Sequence, residues 1–325
     1  MNDDNNDPAE KGLWEPIQHR FQHLPIHIAL LRTGKVLAFG GSGNDETRLN
    51  SPYPAEIFEP CYKDRTDGKN HHNNSGHNNN NSVYEISNTG IAGDIFCCGH
   101  AFLPDGQLIV AGGTYKYDGS ILKIPIPPFS GLDHSYIFDP IDLKWSRISN
   151  MRNGRWYPTC IMLSDGRILV MAGLSKYLPW VFLDQLEIYS DNDRYWKKIP
   201  GANHWIPMYP RLHLLPSGEI FYAGSYNTHY TFPFSLRGFP SATFNIGTRT
   251  WTKIGNPNNV NREEGTTVLL PLNPPDYTAR VLLIAGGLQP GTEAINDVEK
   301  IDFSEKLPRY KTIKPLKHAR YYAYS

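Results

Sequence analysis

The stretch Asp105-Gly106-Gln107-Leu108-Ile109-Val110-Ala111-Gly112-Gly113 sets the architecture of this chain, because it recurs in altered form along the sequence. Thr33-Gly34-Lys35-Val36-Leu37-Ala38-Phe39-Gly40-Gly41 precedes it. Asp165-Gly166-Arg167-Ile168-Leu169-Val170-Met171-Ala172-Gly173 and Ser217-Gly218-Glu219-Ile220-Phe221-Tyr222-Ala223-Gly224 follow it. A fifth copy, Arg280-Val281-Leu282-Leu283-Ile284-Ala285-Gly286-Gly287, lacks the tight turn. Each copy reads as a turn centred on glycine, a short apolar strand and a glycine-rich stop. With an apolar strand before each turn, the repeated unit is a β-hairpin at intervals of roughly 50–70 residues, a period that signals stacked repeat units.

Further strands complete each unit. Ala55-Glu56-Ile57-Phe58, Ser135-Tyr136-Ile137-Phe138-Asp139, Leu186-Glu187-Ile188-Tyr189, Ala242-Thr243-Phe244-Asn245 and Val298-Glu299-Lys300-Ile301-Asp302 are short and rich in strand formers. Three are followed by a polar turn and a tryptophan, Trp145, Trp196 or Trp251, expected as wedges between neighbouring sheets. The pattern predicts an all-β, kelch-type β-propeller of about five four-stranded blades. His318-Ala319-Arg320-Tyr321-Tyr322-Ala323-Tyr324-Ser325 reads as the first strand of a sixth. Propellers hide strand edges by closing into a ring. The chain is therefore expected to be part of a seven-bladed ring and a fragment of a longer protein. Residues 1–15 read as a flexible N-terminus and residues 16–325 as the incomplete propeller.

Composition narrows the function classes. The chain has 325 residues, with 32 basic and 32 acidic side chains and a net charge of zero. No electrostatic surplus exists to hold phosphates, which argues against nucleic acid or an anionic membrane as partner. No run of 18 apolar residues is present, so no membrane span is expected. The acidic start Met1-Asn2-Asp3-Asp4 lacks the basic and apolar regions of a signal peptide. The four cysteines, Cys61, Cys97, Cys98 and Cys160, make no C-x2-C pair and are too few for a disulfide framework. Cys160 reads as a buried thiol. Residues 69–81, Asn- and His-rich, read as a disordered loop in the outer connection of the first blade, although His71, His72 and His77 are metal-capable. Residues 121–131, rich in proline, read as a surface excursion.

The chemistry lies where the innermost strands begin. Asp94-Ile95-Phe96-Cys97-Cys98-Gly99-His100 opens one blade, Arg155-Trp156-Tyr157-Pro158-Thr159 the next, and Met208-Tyr209-Pro210-Arg211-Leu212-His213 the one after. Innermost strands line the central channel, so Cys97 and Tyr157 hold equivalent places on neighbouring blades and can meet there. A thiol and a phenol at such positions suggest more than packing. Taken alone, a cysteine before glycine in a strand is a small buried hydrophobe. Cys98, on the opposite strand face, reads as a core residue.

These strings resemble the copper radical oxidases, the galactose oxidase and glyoxal oxidase family. Phe96-Cys97-Cys98-Gly99-His100-Ala101-Phe102-Leu103-Pro104-Asp105-Gly106 is most similar to the glyoxal oxidase side, as are the Arg155 and Tyr209 strings. The likeness runs from about Trp14 onward. It implies a thioether between Cys97 and the ring of Tyr157, which binds copper and hosts a radical. It further implies oxidation of a small alcohol, aldehyde or carbohydrate with O2 to give H2O2, and a secreted location. Arg320-Tyr321-Tyr322 matches the motif of the axial tyrosine, making Tyr322 the second copper-binding phenol by resemblance.

The sequence also departs from the family. The histidine expected after the axial tyrosine is Ala323, which cannot bind a metal. The C-terminal β-sandwich domain, which carries the other histidine ligand in the family, is expected to be missing from this chain. His100 and His213 are substitutes near the channel motifs, though each also suits a strand hydrogen bond. Two functions follow. One is a copper radical oxidase, inactive as the chain stands. The other is a non-catalytic propeller that binds carbohydrate or protein.

Overall fold

The computed structural model describes residues 20–49, 53–60, 82–86, 89–117, 129–177, 181–224, 240–258, 262–287 and 293–321. Their strands form five antiparallel four-stranded sheets, the blades of a β-propeller. Blade 1 is His27–Leu30, Val36–Phe39, Ala55–Glu59 and Ser82–Ile86. Blade 2 is Gly99–Phe102, Leu108–Ala111, Ser135–Asp139 and Lys144–Arg147. Blade 3 is Thr159–Met162, Ile168–Met171, Glu187–Ser190 and Tyr195–Lys198. Blade 4 is Leu212–Leu214, Ile220–Tyr222, Ser241–Asn245 and Thr250–Gly255. Blade 5 is Thr266–Leu269, Arg280–Ile284, Val298–Asp302 and Lys311–Ile313. Among the described residues there is no α-helix, only a 3-10 turn at Glu46–Arg48. None is long and apolar enough to cross a membrane as a helix.

Four inner hairpins share one turn. Leu31, Leu103, Leu163 and Leu215 each donate a backbone N–H to the carbonyl of the residue four positions on. Each accepts in return from the turn glycine, Gly34, Gly106, Gly166 or Gly218. These glycines have φ between +79° and +84°, where a Cβ is strained. At Gly106 an added Cβ would also lie 2.4 Å from Arg32 Cδ.

The second strand of each hairpin leads into the core. Leu108–Ala111 and Ile168–Met171 are buried throughout. Alternation explains why both faces are apolar. Leu108 and Val110 pack toward blade 1, whereas Ile109 and Ala111 pack toward blade 3. Ile168 and Val170 join the blade 2 side, and Leu169 and Met171 the blade 4 side. The core is thus a series of layers between blades, to which each fully buried aliphatic side chain contributes about 1.5–3 kcal/mol. The tryptophans act in these layers. Trp196 donates its indole N–H to Ser135 Oγ of blade 2 at 3.0 Å, and Trp145 packs edge-on against Phe39 of blade 1. Trp251 stacks on Phe244 and donates to Ala202 O.

Two buried ion pairs tie the loop entering a blade to that blade's third strand. Arg155 Nη2 meets Glu187 Oε1 at 3.0 Å, and Arg262 Nη2 meets Glu299 Oε1 at 2.6 Å. Glu187 also accepts the N–H groups of Arg152 and Asn153. Glu56 of blade 1 accepts those of Gln22 and His23 in the same way.

One surface expectation needs correction. The stretch 121–131 was expected as a surface excursion, yet its end, Phe129–Gly131, is a buried strand paired with Thr114–Tyr117. Phe129 supplies the reason, because its ring stacks on Trp156 at 4.3 Å. Residues 121–128, the Asn- and His-rich stretch 69–81 and Cys61 lie outside the described residues.

Candidate active site

The inner ends of blades 2, 3 and 4 form a relay of backbone hydrogen bonds. Tyr157 N donates to Cys97 O at 3.0 Å, and Tyr209 N donates to Tyr157 O at 2.9 Å. All three residues have positive φ: +62° at Cys97, +61° at Tyr157 and +46° at Tyr209. Non-glycine residues held there cost on the order of 1–3 kcal/mol each, and such strain gathers at functional sites. Glu264, at the matching place in blade 5, has φ +51°.

The left-handed turn at each residue lets its side chain leave the strand pairing and enter the cluster at the blade ends. Cys97 is buried with Phe96, Trp156, Met208 and Phe182, and the half-buried Tyr157 packs against them. The Cys97 thiol and the Tyr157 hydroxyl are in hydrogen-bond contact. Burial pushes the Cys97 thiol well up from its ordinary range, and the contact with Tyr157 opposes that shift. Asp94 fixes the loop that carries Cys97. Its Oδ1 accepts from Ser42 N at 2.8 Å and Phe96 N at 3.0 Å. Burial raises the Asp94 carboxyl despite these bonds.

The Tyr157 ring stacks on Trp156, with centroids 3.8 Å apart and planes 16° from parallel. It stacks on Tyr209 at 4.3 Å and 21°. The Tyr209 hydroxyl donates to Cys98 O at 3.0 Å. Cys98 itself turns into the layer between blades 1 and 2, and Cys160 into the layer between blades 2 and 3.

The sequence-derived candidates separate in space. Cys97 and Tyr157 come together. His100 does not join them. Its ring lies edge-on to His27 at 5.5 Å and to Phe39 at 5.8 Å, in the wall between blades 1 and 2. Burial lowers its pKa to about 4. His213 pairs through Nε2 with Thr267 Oγ1 of blade 5 at 2.8 Å, and burial lowers it to about 4 as well. Tyr322 and Ala323 lie outside the described residues. Arg320, two positions before Tyr322, makes the backbone pairing of Arg155, two before Tyr157. Arg155 donates to Leu132 O and accepts from Gly113 N, while Arg320 donates to Ile295 O and accepts from Gly286 N.

Sequence reasoning missed two features. Tyr209 stood inside a quoted motif without a role, because ring stacking depends on how blades dock. Glu263 and Glu264 are both buried at the entry to blade 5. Burial pushes both carboxyls up to about 7, with the neighbouring Glu264 adding to the shift at Glu263 and Arg211 opposing it at Glu264. Two adjacent acids immediately before an apolar strand, Arg262-Glu263-Glu264-Gly265-Thr266, were the available signal.

Comparison with known proteins follows the same lines. The family described as "Glyoxal oxidase N-terminus" matches residues 26–317. The chain belongs to the glyoxal oxidase family. It is 24% identical over 294 residues to "Aldehyde oxidase GLOX" of Vitis pseudoreticulata, covering 86% of this chain and 49% of that protein. It is 30% identical over 236 residues to a "WSC domain-containing protein" of Arthroderma benhamiae, covering 64% of this chain and 22% of that one. A solved fungal alcohol oxidase of the AA5 family, in complex with copper, shares the fold at a TM-score of 0.65 and 17% identity. That match covers 95% of this chain and 57% of that one. The chain thus spans about half the length, or less, of the curated relatives it matches.

Copper is the metal of the glyoxal oxidase family, and the described side chains do not fit it as a set. Among the described residues no three His, Cys, Asp or Glu side chains are grouped to hold a metal. Beyond His27, His100 and His213, His134 Nδ1 pairs with Ala92 O, and His204 stacks on Trp251. The pair Cys97 and Tyr157 fits the organic half of the family's centre, and the contacts of these five histidines are made with other groups.

Proposed function

We propose that this propeller keeps the thiol–phenol half of a copper radical oxidase centre for aldehydes or primary alcohols, and that the chain as it stands does not turn them over. The contact between the Cys97 thiol and the Tyr157 hydroxyl carries the first half of this reading. Thioether formation breaks the S–H of Cys97 and an ortho C–H of Tyr157 and makes an S–C bond. The two electrons and two protons go to dioxygen, giving H2O2. Copper, when bound in this family, supplies the one-electron chemistry of the radical. Within this chain Asp94 fixes the cysteine loop, the backbone bond from Tyr157 to Cys97 O holds the partners together, and Trp156, itself backed by Phe129, stacks on the ring.

Ala323 and the occupied histidines support the second half. An imidazole is a principal anchor for copper, and losing such a ligand undermines both affinity and geometry. The test is a calorimetric copper(II) titration with peroxide detection on glyoxal, simple aldehydes and galactose. No turnover is expected. Tight one-to-one copper binding with robust peroxide production would sink the reading. Ala323 also favours a second function, a propeller that binds carbohydrate or protein without catalysis. A glycan-array screen addresses it, and glycan binding that survives Tyr157→Phe would favour this second reading.

A further inference from the structure

Tyr157 is covered on both ring faces. Trp156 stacks at 3.8 Å and Tyr209 at 4.3 Å, each within about 21° of parallel. Two rings at such spacings cannot occupy the same face without overlapping, so one lies on each side. Trp156 is backed in turn by Phe129 at 4.3 Å and 8°. The edge of Tyr157 carries the hydroxyl that meets Cys97.

Tyr209 is anchored at two points, one on Tyr157 itself and one on the neighbour of Cys97. Its backbone N–H donates to Tyr157 O, and its hydroxyl donates to Cys98 O, one residue from Cys97. It therefore spans the two partners, reaching from blade 4 to blades 2 and 3. Its φ of +46° places a bulky ring where the backbone is strained. The same left-handed turn opens blades 2, 3 and 5, at Cys97, Tyr157 and Glu264, so the repeat sets the backbone and the stacked ring is what residue 209 adds.

We propose that Tyr209 is a positioning residue that holds the Tyr157 ring with its edge toward Cys97 and its second face closed. Covering both faces restricts reaction of Tyr157 to its edge. The ortho carbon is then offered to the Cys97 sulfur and withheld from other phenols and from reagents approaching the ring face. Stacking does this work, and the hydroxyl of Tyr209 adds the register. Phenylalanine at 209 should preserve the function, and a residue without a ring should not.

Two measurements test this. The first is nitration of Tyr157 by tetranitromethane, read by peptide mass spectrometry on the untreated protein. Tyr209→Phe should nitrate at the wild-type rate. Tyr209→Met and Tyr209→Leu should nitrate about fivefold faster or more, the factor that corresponds to losing one aromatic pair. Met fills the vacated volume should Leu fail to fold, and circular dichroism checks each variant. The second is the yield of the two-hydrogen mass loss at Cys97–Tyr157 after copper(II) and air. That yield should hold in Tyr209→Phe and fall by a similar factor in the Met and Leu variants. This second arm rests on the thioether reading above, and the nitration arm does not. Wild-type protein that never cross-links, with nitration behaving as expected, removes the thioether reading and leaves Tyr209 in its positioning role. Nitration of Tyr157 unchanged in both the Met and Leu variants overturns the proposal.

Discussion

Removing Glu187 should be among the most damaging single changes in the propeller. Its carboxylate and the Arg155 guanidinium are both fully buried and 3.0 Å apart. Glu187 also accepts the N–H groups of Arg152 and Asn153, and Arg155 donates to Ala172 O and Gln185 O. Truncation to alanine leaves a buried guanidinium without its counter-charge, which costs about 3–5 kcal/mol. Arg155→Met should cost a similar amount by stranding the carboxylate. The double variant removes both charges, so its loss should fall short of the sum by at least about 2 kcal/mol. It should still be less stable than wild type. Four backbone groups lose partners, each worth about 1 kcal/mol. Urea unfolding followed by tryptophan fluorescence measures all three. Additivity within about 0.5 kcal/mol, or single variants that unfold like wild type, would refute the view that this pair is a buried clasp.

Three further outcomes are expected. His27 is held well below its ordinary range by burial and by His100, and His100 and His213 sit at about 4 through burial. Depressed folded values mean stability that is present above about pH 6.5 and lost as pH falls toward 4, so the urea midpoint should drop between pH 7 and 5 and drop less in His100→Gln. Glu263 has the opposite sign. With its carboxyl raised to about 7, its contribution fades as pH rises through that value, so Glu263→Gln should stabilise the protein at pH 8 by roughly 2–3 kcal/mol and change little at pH 5. Cys97→Ala should abolish any copper-dependent loss of two hydrogens seen by mass spectrometry, whereas Cys98→Ala should retain it. The reverse pattern would reassign the partner of Tyr157.

The glycine-centred hairpins were readable because their pattern has a direct physical cause. Gly106 must adopt φ +84°, and Leu108–Ala111 must be apolar on both faces because it faces two cores. The third strand Val298–Asp302 matches its expected limits. The ion pairs were less visible, although a glutamate inside an apolar strand, as in Leu186-Glu187-Ile188-Tyr189, is a signal that buried charge needs a partner. Cys97 and Tyr157 could be paired from equivalent positions in successive repeats. The stack around Tyr157 could not, since it joins the inserted hairpin at Phe129, the entry to blade 3 and the entry to blade 4. Nor does any propensity scale suggest that two tyrosines adopt left-handed backbone, a choice dictated by neighbouring blades rather than by local sequence.

The contact between Cys97 and Tyr157 has a mechanical side. The two residues belong to different blades and are 60 positions apart in the chain. A covalent bond between them would close a loop of that length, and the chain-entropy estimate for such a closure is about 4 kcal/mol. Blade 2 would be riveted to blade 3 at their inner ends, where the sheets are otherwise joined by packing and a few hydrogen bonds. A propeller that had given up oxidation would then still have a reason to keep both residues, as a staple formed by the chemistry it no longer performs.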